Sequence, residues 1–497
     1  MGIKSVLAKP LAKQLQRRIY KWANEPEKTQ IKVFNKLITQ AKHTTFGKDH
    51  NFNKIRNFDD FSKQVPIRDY EDLKPYITQI MEGKTNVLWE GKPIYFAKTS
   101  GTTSGAKYIP LTKASMPHHI NAARNALLMY IAETGNSEFV DGKLIFLQGS
   151  PVIDKKNGIK TGRLSGIVAH YVPTYLQKNR MPSWETNCIE DWETKVEAIV
   201  EETIKEDMTL ISGIPSWVQM YFEKIISKTG KSISKNFPNF KLFVYGGVNF
   251  EPYRKRFEKM IGRKVDSIEL FPASEGFFAF QDKQDDRGML LLLNSGIFYE
   301  FIKADEFFND NPTRFTVADV ELGVNYVLII STNAGLWAYN IGDTVMFTSL
   351  KPHRIIVTGR IKHFISAFGE HVIAKEVEHA LEEAVKGADI TVNEFTVAPQ
   401  TNPESGLPYH EWFIEFEKEP SNLKEFITKV DLSMQAQNSY YFDLIKGKIL
   451  QQLKITKINK NGFQSYMKSI GKLGGQNKVP RLSNDRKIAD ELKNWSS

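Results

Sequence analysis

Cysteine is almost missing from this 497-residue sequence, which contains Cys188 alone. One cysteine excludes an internal disulfide framework and argues against a metal site built from cysteine ligands. Long apolar runs are also lacking, because none approaches the roughly 20 residues that span a bilayer. The opening MGIKSVLAKPLAKQLQRRIYKW is basic and has neither the apolar core nor the cleavage site of a secretory signal. We therefore expect a cytoplasmic protein.

The net charge of +10 is concentrated at the two ends of the sequence. Residues 1–24 contain six Lys or Arg and no acid, and residues 451–497 contain ten Lys or Arg against three acids. The rest of the chain is therefore close to balance. A nucleic-acid-binding protein more often has a basic stripe interleaved with exposed aromatic residues. We expect no nucleic-acid partner.

The N-terminal segment has an apolar residue at every fourth position. These residues are Ile3, Leu7, Leu11, Leu15 and Ile19. Such a stripe is typical either of a helix in a membrane interface or of a helix that packs on the protein body. We favour packing on the body and expect no stable membrane association. Pro10 is expected to interrupt a long regular helix.

Strand-like and helical segments alternate along the middle of the sequence. From about residue 92, GKLIFLQGS, MTLISG and FKLFVYGG are strand-like, and helical segments such as EDWETKVEAIVEETIKED and EPYRKRFEKMIG lie among them. This alternation predicts an α/β fold with a mainly parallel sheet covered by helices. Strands dominate after about 290, and a compact α+β pattern with a long helix near 421–445 follows residue 359. We predict an N-terminal domain at 1–358 and a C-terminal domain at 359–497.

The stretch KTSGTTSGAKY at residues 98–108 combines glycines and hydroxyls between two lysines. A Walker loop needs a lysine directly after its second glycine, followed by Ser or Thr. Here Ala106 separates Gly105 from Lys107, and Tyr108 follows, so that pattern fails. Glycine backbone amides, hydroxyls and Lys107 still form a suitable phosphate-binding set. The alternative interpretation is an ordinary polar turn.

Two carboxylates follow strand-like segments. Glu275, in LFPASEG, stands at the end of a predicted parallel strand, where ligands of open α/β sheets bind and where a carboxylate suits Mg²⁺. Asp343, in YNIGD, is placed to accept hydrogen bonds from ribose hydroxyls. The alternatives are a solvated loop residue for Glu275 and a β-turn residue for Asp343.

Two basic segments complete the pattern. TGRIKHF contains Arg360 and Lys362, and KLGGQNKVPR contains Lys478. Each is interpretable as a linker or tail, but the basic side chains also suit a polyphosphate site closed by a mobile domain.

Taken in order, these segments resemble the adenylate-forming enzymes and, more closely, a bacterial-type member of the GH3 acyl-acid amidosynthetase family, first known from plant auxin-responsive genes. The residues that carry the resemblance are TSGTTSGAKYIPLT, ISGIPSW, YGGVNFEPY, FPASEG, YNIGD, VDLSMQAQNSYYFDL and GGQNKVPR, which span about 98–481. The resemblance implies a large domain with mixed and parallel sheets and a β-barrel-like part. It also implies a small mobile C-terminal domain with a hinge at about 359–363 and an ATP site between the two.

The resemblance further implies roles for individual residues. Those implied at the triphosphate are Ser100, Gly101, Thr102, Thr103, Ser104, Gly105 and Lys107. Gly246 and Gly247 are implied at adenine, and Ala273 and Ser274 at the nucleotide or acyl carboxylate. Asp343 is implied at ribose, with Tyr339 and Arg360 as further contacts. Lys362 is implied at the hinge. Glu275 is implied as the Mg²⁺ ligand and Lys478 as the lysine that reaches the adenylation site. Lys478, Lys107 and Glu275 are the implied catalytic residues.

One position departs from the family pattern. Plant members usually read Y-R-x-G-D, whereas this chain has Asn340 in place of the arginine. This change is compatible with the implied ribose binding by Asp343 but argues against a salt-bridge role for residue 340.

The implied reaction joins a small carboxylic acid to an amino acid with ATP and Mg²⁺. An acyl-CoA ligase shares the first half-reaction and is the nearest alternative. A non-catalytic nucleotide-binding or membrane-surface protein is a more distant one. The sequence leaves open the acyl acid, the amine acceptor and the oligomeric state.

Overall fold

The structure is a computed structural model and describes residues 2–99, 107–172, 177–247, 250–361, 364–365, 367, 370, 372–474 and 478–496. The α-helices of these ranges are α1 (Ile3–Ala23), α2 (Pro26–Ala41), α3 (Thr45–Asp49), α4 (Phe58–Gln64), α5 (Tyr70–Met81), α6 (Met116–Thr134), α7 (Leu164–Ala169), α8 (Trp184–Asn187), α9 (Trp192–Thr203), α10 (Pro215–Thr229), α11 (Ile233–Asn236), α12 (Glu251–Ile261), α13 (Ala374–Val385), α14 (Leu423–Gln437), α15 (Ser439–Lys446), α16 (Gly462–Ser469) and α17 (Lys487–Leu492). Short 3₁₀ helices lie at Phe52–Lys54, Glu138–Val140 and Lys493–Trp495.

Within the same described ranges, the strands form one large and three small sheets. They are β1 (Tyr95–Thr99), β2 (Lys107–Leu111), β3 (Lys143–Phe146), β4 (Asp154–Lys156), β5 (Ile159–Gly162), β6 (Arg180–Met181), β7 (Met208–Ser212), β8 (Leu242–Gly246), β9 (Asp266–Ala273), β10 (Gly276–Gln281), β11 (Met289–Leu291), β12 (Ile297–Lys303), β13 (Asn325–Thr332), β14 (Tyr339–Leu350), β15 (His353–Arg360), β16 (Phe364–Ile365), β17 (Val372–Ile373), β18 (Thr391–Gln400), β19 (Tyr409–Lys418) and β20 (Lys454–Ile458).

Contacts divide the chain into two compact units. The first unit comprises residues 1–248, 260–341 and 345–356, and the second comprises residues 249–259, 342–344 and 357–497. The second unit thus includes two short segments that precede its main body in sequence. The domain boundary expected at 358–359 stays a prediction.

An 11-stranded sheet forms the centre of the first unit, in the order β12-β13-β14-β15-β11-β10-β9-β8-β7-β3-β6. The neighbours β6, β3, β7, β8 and β9 run parallel, as the alternation of segments predicts. The first four residues of β7 and of β8 are all buried, which is typical of parallel strands with both faces covered. From β9 to β10, β11 and β15 the pairing is antiparallel, so the sheet is mixed. The strands β2-β1-β5-β4 form a separate four-stranded sheet.

The helices that cover the parallel strands begin where their sequences indicate. The Asp191 side chain accepts a hydrogen bond from the Thr194 amide at the start of α9, as an N-cap residue does. The buried side chains of α9 include Val196, Ile199 and Val200, at the spacing of one helical face. Helix α10 begins at Pro215, a residue suited to the first helical turn. The helix predicted at EDWETKVEAIVEETIKED is confirmed as α9.

Helix α1 differs from the expectation in two respects. It is a continuous 21-residue helix that contains Pro10, so the predicted interruption is wrong. Ala12 and Ile19 are buried in contact with α6, whereas Leu7 is 65% and Leu11 53% exposed. The helix packs on the first unit through its small residues and its C-terminal half, while Leu7 and Leu11 of the apolar stripe face outward. Within the described ranges, no helix has the length and apolar character of a membrane span.

The second unit contains a three-stranded sheet packed against helices. Strand β19 pairs antiparallel with β18 and parallel with β20. Trp412, Phe395 and Leu381 belong to its buried core. The long helix expected near 421–445 is instead two helices, α14 and α15, because Asn438 leaves the helical conformation and its side chain accepts a hydrogen bond from the Tyr441 amide. Asn438 therefore caps a new helix.

Candidate functional site

Some predicted site residues lie outside the described residues. These are Ser100, Gly101, Thr102, Thr103, Ser104, Gly105 and Lys362. Their implied roles at the triphosphate and at the hinge stay predictions.

Two glycines end strand β8 at the carboxyl edge of the parallel sheet. Gly246 pairs with Leu270 of the parallel strand β9. A Cβ atom at Gly246 would lie 2.5 Å from the Leu270 carbonyl oxygen, so only glycine fits there without movement of the backbone. Gly247 has a φ of +83°, a left-handed conformation that favours glycine. The glycine pair leaves exposed backbone at an edge where ligands of α/β sheets bind.

A tight turn places Ser274 and Glu275 beyond the end of strand β9. Ala273 of β9 pairs with Gly276 of β10, which leaves Ser274 and Glu275 as the two turn residues. Ser274 is buried and Glu275 is half-buried. Because β8 and β9 are neighbouring parallel strands, this turn and the Gly246–Gly247 segment follow the same edge of the sheet. The structure therefore brings four of the predicted residues to one edge, with Ala273 at the start of the turn.

The donor set at Glu275 fits Mg²⁺ bound together with a nucleotide. Among the described residues, no group of three or more His, Cys, Asp or Glu side chains could hold a metal ion alone. Mg²⁺ commonly takes one or two carboxylates and completes its shell with substrate phosphates and water. A single half-buried carboxylate at the strand end meets that requirement.

Lys107 and Tyr339 both contact residues at or just before the start of helix α5, namely Tyr70 and Arg68. The Lys107 ammonium lies 5.5 Å from the centre of the Tyr70 ring, and the Tyr70 hydroxyl accepts a hydrogen bond of 2.9 Å from the Tyr108 amide. Tyr339 is buried and forms a parallel bridge with Arg68. The sequence motifs did not include Arg68 or Tyr70, because their connection to the site depends on contacts between distant segments.

Asp343 lies inside strand β14, so the β-turn interpretation is wrong. Its side chain is buried, and Arg360 Nε lies 2.8 Å from Asp343 Oδ1. The predicted nucleotide contacts Asp343 and Arg360 are therefore ion-paired within the second unit. With Asn340 in place of the family arginine, the guanidinium beside this aspartate comes from β15. Burial raises the pKa of Asp343, while the positive charges of Arg360 and Lys478 oppose that rise.

Lys478 is the third member of this charged group. Its side chain is exposed to solvent, yet the surrounding protein atoms lower its pKa to about 8 by reducing its hydration. The charge of Arg360 lowers the pKa further, Asp343 raises it, and Arg481 lowers it. Lys478 thus titrates close to physiological pH, unlike an ordinary surface lysine. We call Asp343, Arg360 and Lys478 the charged triad.

Arg481 supports this group and was missed as a site residue. It follows Lys478 by three positions in GGQNKVPR, and its guanidinium forms ion pairs with Glu378 at 3.3 Å and with Glu394. Both partners hold the segment after Lys478 against α13 and β18. The motif contained this arginine, but its partners Glu394 and Glu378 are 87 and 103 residues away in sequence.

Comparison with protein-family models identifies three consecutive domains. The GH3 family N-terminal domain matches residues 15–188 and 152–265, the GH3 family central domain matches residues 290–360, and the GH3 family C-terminal domain matches residues 375–487. Together these matches span most of the chain in the family's order.

Curated relatives and solved structures agree with the family models. A jasmonoyl–L-amino acid synthetase, JAR4 of Nicotiana attenuata, is 22% identical over 91% of this chain and 90% of its own length. An indole-3-acetic acid-amido synthetase, GH3.3 of Arabidopsis thaliana, is 23% identical over 91% and 88%. The structure of AtGH3.15 acyl acid amido synthetase in complex with 2,4-DB matches with a TM-score of 0.80 at 15% identity, over 98% of this chain and 96% of that one. A 2-hydroxyisobutyryl-CoA ligase in the postadenylation state matches with a TM-score of 0.56 at 14% identity, over 97% and 91%. The chain has the fold of adenylate-forming enzymes.

Proposed function

Because this chain belongs to the GH3 family, we propose that it is an ATP-dependent acyl-acid amidosynthetase that joins a small carboxylic acid to the amine of an amino acid. The match of all three family domains in chain order carries the proposal. The relatives named for jasmonoyl–amino acid and indole-3-acetic acid-amido synthesis support the reaction class.

In the first half-reaction, an oxygen of the substrate carboxylate attacks the α-phosphorus of ATP. A P–O bond forms, the bond to the β-phosphate bridge breaks, and pyrophosphate leaves. This step depends on positioning and charge neutralisation rather than on an enzyme nucleophile. We assign neutralisation of the triphosphate to Lys107, Lys478 and the Ser100–Gly105 segment.

The remaining contacts position the nucleotide. We assign the adenine to Gly246 and Gly247, where the exposed backbone of β8 ends, and the α-phosphate or acyl carboxylate to Ala273 and Ser274. We assign the ribose hydroxyls to Asp343, whose second oxygen can accept them while Arg360 holds the first. Tyr339 supports the strand that carries Asp343, and Lys362 belongs to the proposed hinge.

Glu275 is the residue we assign to Mg²⁺, which when bound withdraws charge from the phosphate oxygens. The half-buried carboxylate would hold the ion without a further protein ligand, as the fit of its donor set indicates.

In the second half-reaction, the amine attacks the acyl carbon of the mixed anhydride. A C–N bond forms, the C–O bond to AMP breaks, and the ammonium proton passes to solvent. We further propose that the reaction takes place in the cytoplasm. That compartment is reducing, and this chain, with one cysteine, needs no internal disulfide. Its partners are then small-molecule substrates rather than nucleic acids or membranes.

A pyrophosphate-release screen tests this function. The purified protein would receive Mg²⁺-ATP and a panel of aryl, indolyl and aliphatic carboxylic acids, each with amino acids or with coenzyme A. We expect pyrophosphate and AMP with at least one acid, and an amide product that forms faster than any thioester. Faster thioester formation would identify an acyl-CoA ligase, and ATP binding without pyrophosphate release from any acid would contradict catalysis.

A further inference from the structure

A second group of polar side chains surrounds the end of strand β3 in the first unit. The β3-end cluster consists of Gln148, Arg163, Ser165 and Lys195. The Lys195 ammonium donates hydrogen bonds to the Gln148 carbonyl at 3.0 Å and to the Asn187 carbonyl at 2.6 Å. Arg163 and Ser165 lie over Gly149: the Arg163 Cδ atom is 3.0 Å, and the Ser165 Oγ atom 3.4 Å, from the position that a Cβ atom would take there. The Gln148 backbone carbonyl and the side chains of Arg163, Ser165 and Lys195, from three segments, thus lie beyond one strand.

The cluster carries positive charge without a compensating carboxylate. Lys195 is only 2% exposed, whereas Arg163 is exposed. Burial lowers the pKa of Lys195 to about 8; the nearby Cys188 thiol opposes this shift, and the positive charge of Arg163 adds to it. In the described part of the chain, no ion pair joins either cation to an acidic side chain. Buried cations in proteins are usually paired, so this arrangement suits an anion from outside the chain.

Two hydrogen-bonding groups of the cluster have no partner. The Gln148 Nε2 and Ser165 Oγ atoms are both buried, and neither makes a hydrogen bond with any described residue. Most buried polar atoms in folded proteins have a partner, and those that lack one carry a desolvation penalty. The Ser165 hydroxyl, which lies with Arg163 at Gly149, can donate a hydrogen bond to an acceptor there.

The cluster lies along the same sheet edge as the predicted nucleotide residues. The Leu147 amide donates to the Ser212 carbonyl at 2.8 Å, and the Gly213 amide donates to the Val244 carbonyl at 3.0 Å, so β3, β7 and β8 end side by side. Two strand spacings of about 4.8 Å place the end of β3 roughly 10 Å from the end of β8. That is a distance that the acyl or amine substrate of an adenylate at β8 can span.

We propose that the β3-end cluster binds a carboxylate group of a substrate. This inference rests on the proposed function, because it concerns the substrates of the same reaction. A carboxylate offers two acceptor oxygens, which match the parallel donors of the Arg163 guanidinium and leave a lone pair for the Ser165 hydroxyl. Two substrates supply this chemistry: the acceptor amino acid through its α-carboxylate, or a dicarboxylic acyl acid through its second carboxylate.

Arg163 is the member of the cluster to remove first. It is exposed and precedes α7, so Arg163→Gln is not expected to disrupt the core. Lys155→Gln is a matched control, because it removes one positive charge from an exposed position on β4. Gln148→Leu removes the unpartnered amide without a change of charge. Thermal unfolding of each variant shows whether it folds like the unmodified chain.

Calorimetric titration of the full chain tests the proposal without catalysis. The ligands are amino acids, the corresponding amino acid amides, monocarboxylic acids and dicarboxylic acids. A charge-assisted hydrogen bond contributes enough that Arg163→Gln should weaken binding of the recognised carboxylate about tenfold or more. The amide analogues should bind equally weakly to every variant, and Lys155→Gln should behave like the unmodified chain.

The outcomes distinguish the two sources and the two proposals. Selective loss of amino acid binding identifies the acceptor as the carboxylate source, and selective loss of dicarboxylate binding identifies the acyl acid. Equal binding to Arg163→Gln and the unmodified chain, or binding of no carboxylate in the panel, overturns the β3-end assignment. If carboxylate binding depends on Arg163 but no acid gives pyrophosphate release, the proposed reaction is overturned. The carboxylate-binding site would then stand on its own.

Discussion

Replacement of Lys478 by arginine should change the pH dependence of acyl-adenylate formation. In the charged triad the pKa of Lys478 is lowered to about 8, first by reduced hydration and then by Arg360. If the ammonium neutralises ATP, the active form of the free enzyme is the protonated one. It predominates below pH 8 and is lost as the pH rises through that value. Arginine stays protonated throughout this range.

The size of the effect follows from the titration. About half of the Lys478 side chains are cationic at pH 8 and about one tenth at pH 9, so kcat/KM for ATP should fall roughly tenfold between pH 7 and pH 9. The ratio kcat/KM reports the pKa values of the free enzyme and is therefore the quantity to compare. In Lys478→Arg, the decline associated with this residue should disappear, although the larger side chain is expected to lower the rate at pH 7.

The assay is initial-rate pyrophosphate release from pH 6.5 to 9.5, with one accepted acid in excess. Lys478→Ala serves as the reference without a cation and should lose adenylation at every pH. Amide formation from a supplied acyl-adenylate should survive in both variants. An unchanged alkaline decline in Lys478→Arg would show that another group causes it. Equal loss of both half-reactions in Lys478→Ala would contradict a role confined to adenylation.

Three further substitutions separate binding from stability. Asp343→Asn removes the carboxylate that Arg360 holds at 2.8 Å and should raise the KM for ATP about tenfold, as for loss of a charge-assisted hydrogen bond; an unchanged KM would contradict ribose binding. Glu275→Gln should raise the Mg²⁺ concentration needed for half-maximal rate while the melting temperature stays constant, and an unchanged Mg²⁺ requirement would refute the metal role. Arg354→Met leaves Asp282 buried without its 2.9 Å partner, so urea unfolding should show a loss of about 3–5 kcal/mol. A loss below about 1 kcal/mol would show that the remaining hydrogen bond from the Tyr20 hydroxyl to Asp282, at 2.8 Å, compensates for the lost ion pair.

The parts of the fold that the sequence predicted are those set by neighbouring residues. The helical segment EDWETKVEAIVEETIKED forms α9, with its buried face at helical spacing. The buried strands β7 and β8 are short apolar runs between such helices. The order of motifs, compared with a known family, then predicted the adenylate-forming architecture that the structural comparison shows.

The errors arise where distant contacts override a local preference. Pro10 remains inside α1, although it removes a helical hydrogen bond, because the helix packs along α6 on both sides of it. Asn438 divides an otherwise helical sequence, since its side chain also donates to the Glu370 carbonyl at 2.9 Å and is fixed outside the helix. Neither outcome can be read from the residues next to these positions.

The same limit applies to the candidate site. The sequence indicated Asp343, Arg360 and Lys478 one at a time, and each had a plausible structural interpretation as a turn, a linker or a tail. Asp343 and Arg360 come together because β14 and β15 are neighbouring strands. The hydrogen bond of 2.8 Å from the Ile361 amide to the Gly342 carbonyl joins the two strands there. The β3-end cluster gave no sequence signal, because its four members come from three separate segments.

The charged triad acts as a unit, and this changes how variants of its members should be interpreted. Burial alone would favour a protonated Asp343, and the positive charges of Arg360 and Lys478 both oppose that shift. Loss of the Lys478 charge therefore removes a proposed ATP contact and also one of two groups that keep Asp343 ionised for ribose. Lys478→Ala combines the two effects, whereas Lys478→Arg preserves the electrostatic support of Asp343. The difference between these variants at one pH, rather than the effect of either alone, measures how far nucleotide binding depends on the shared charge.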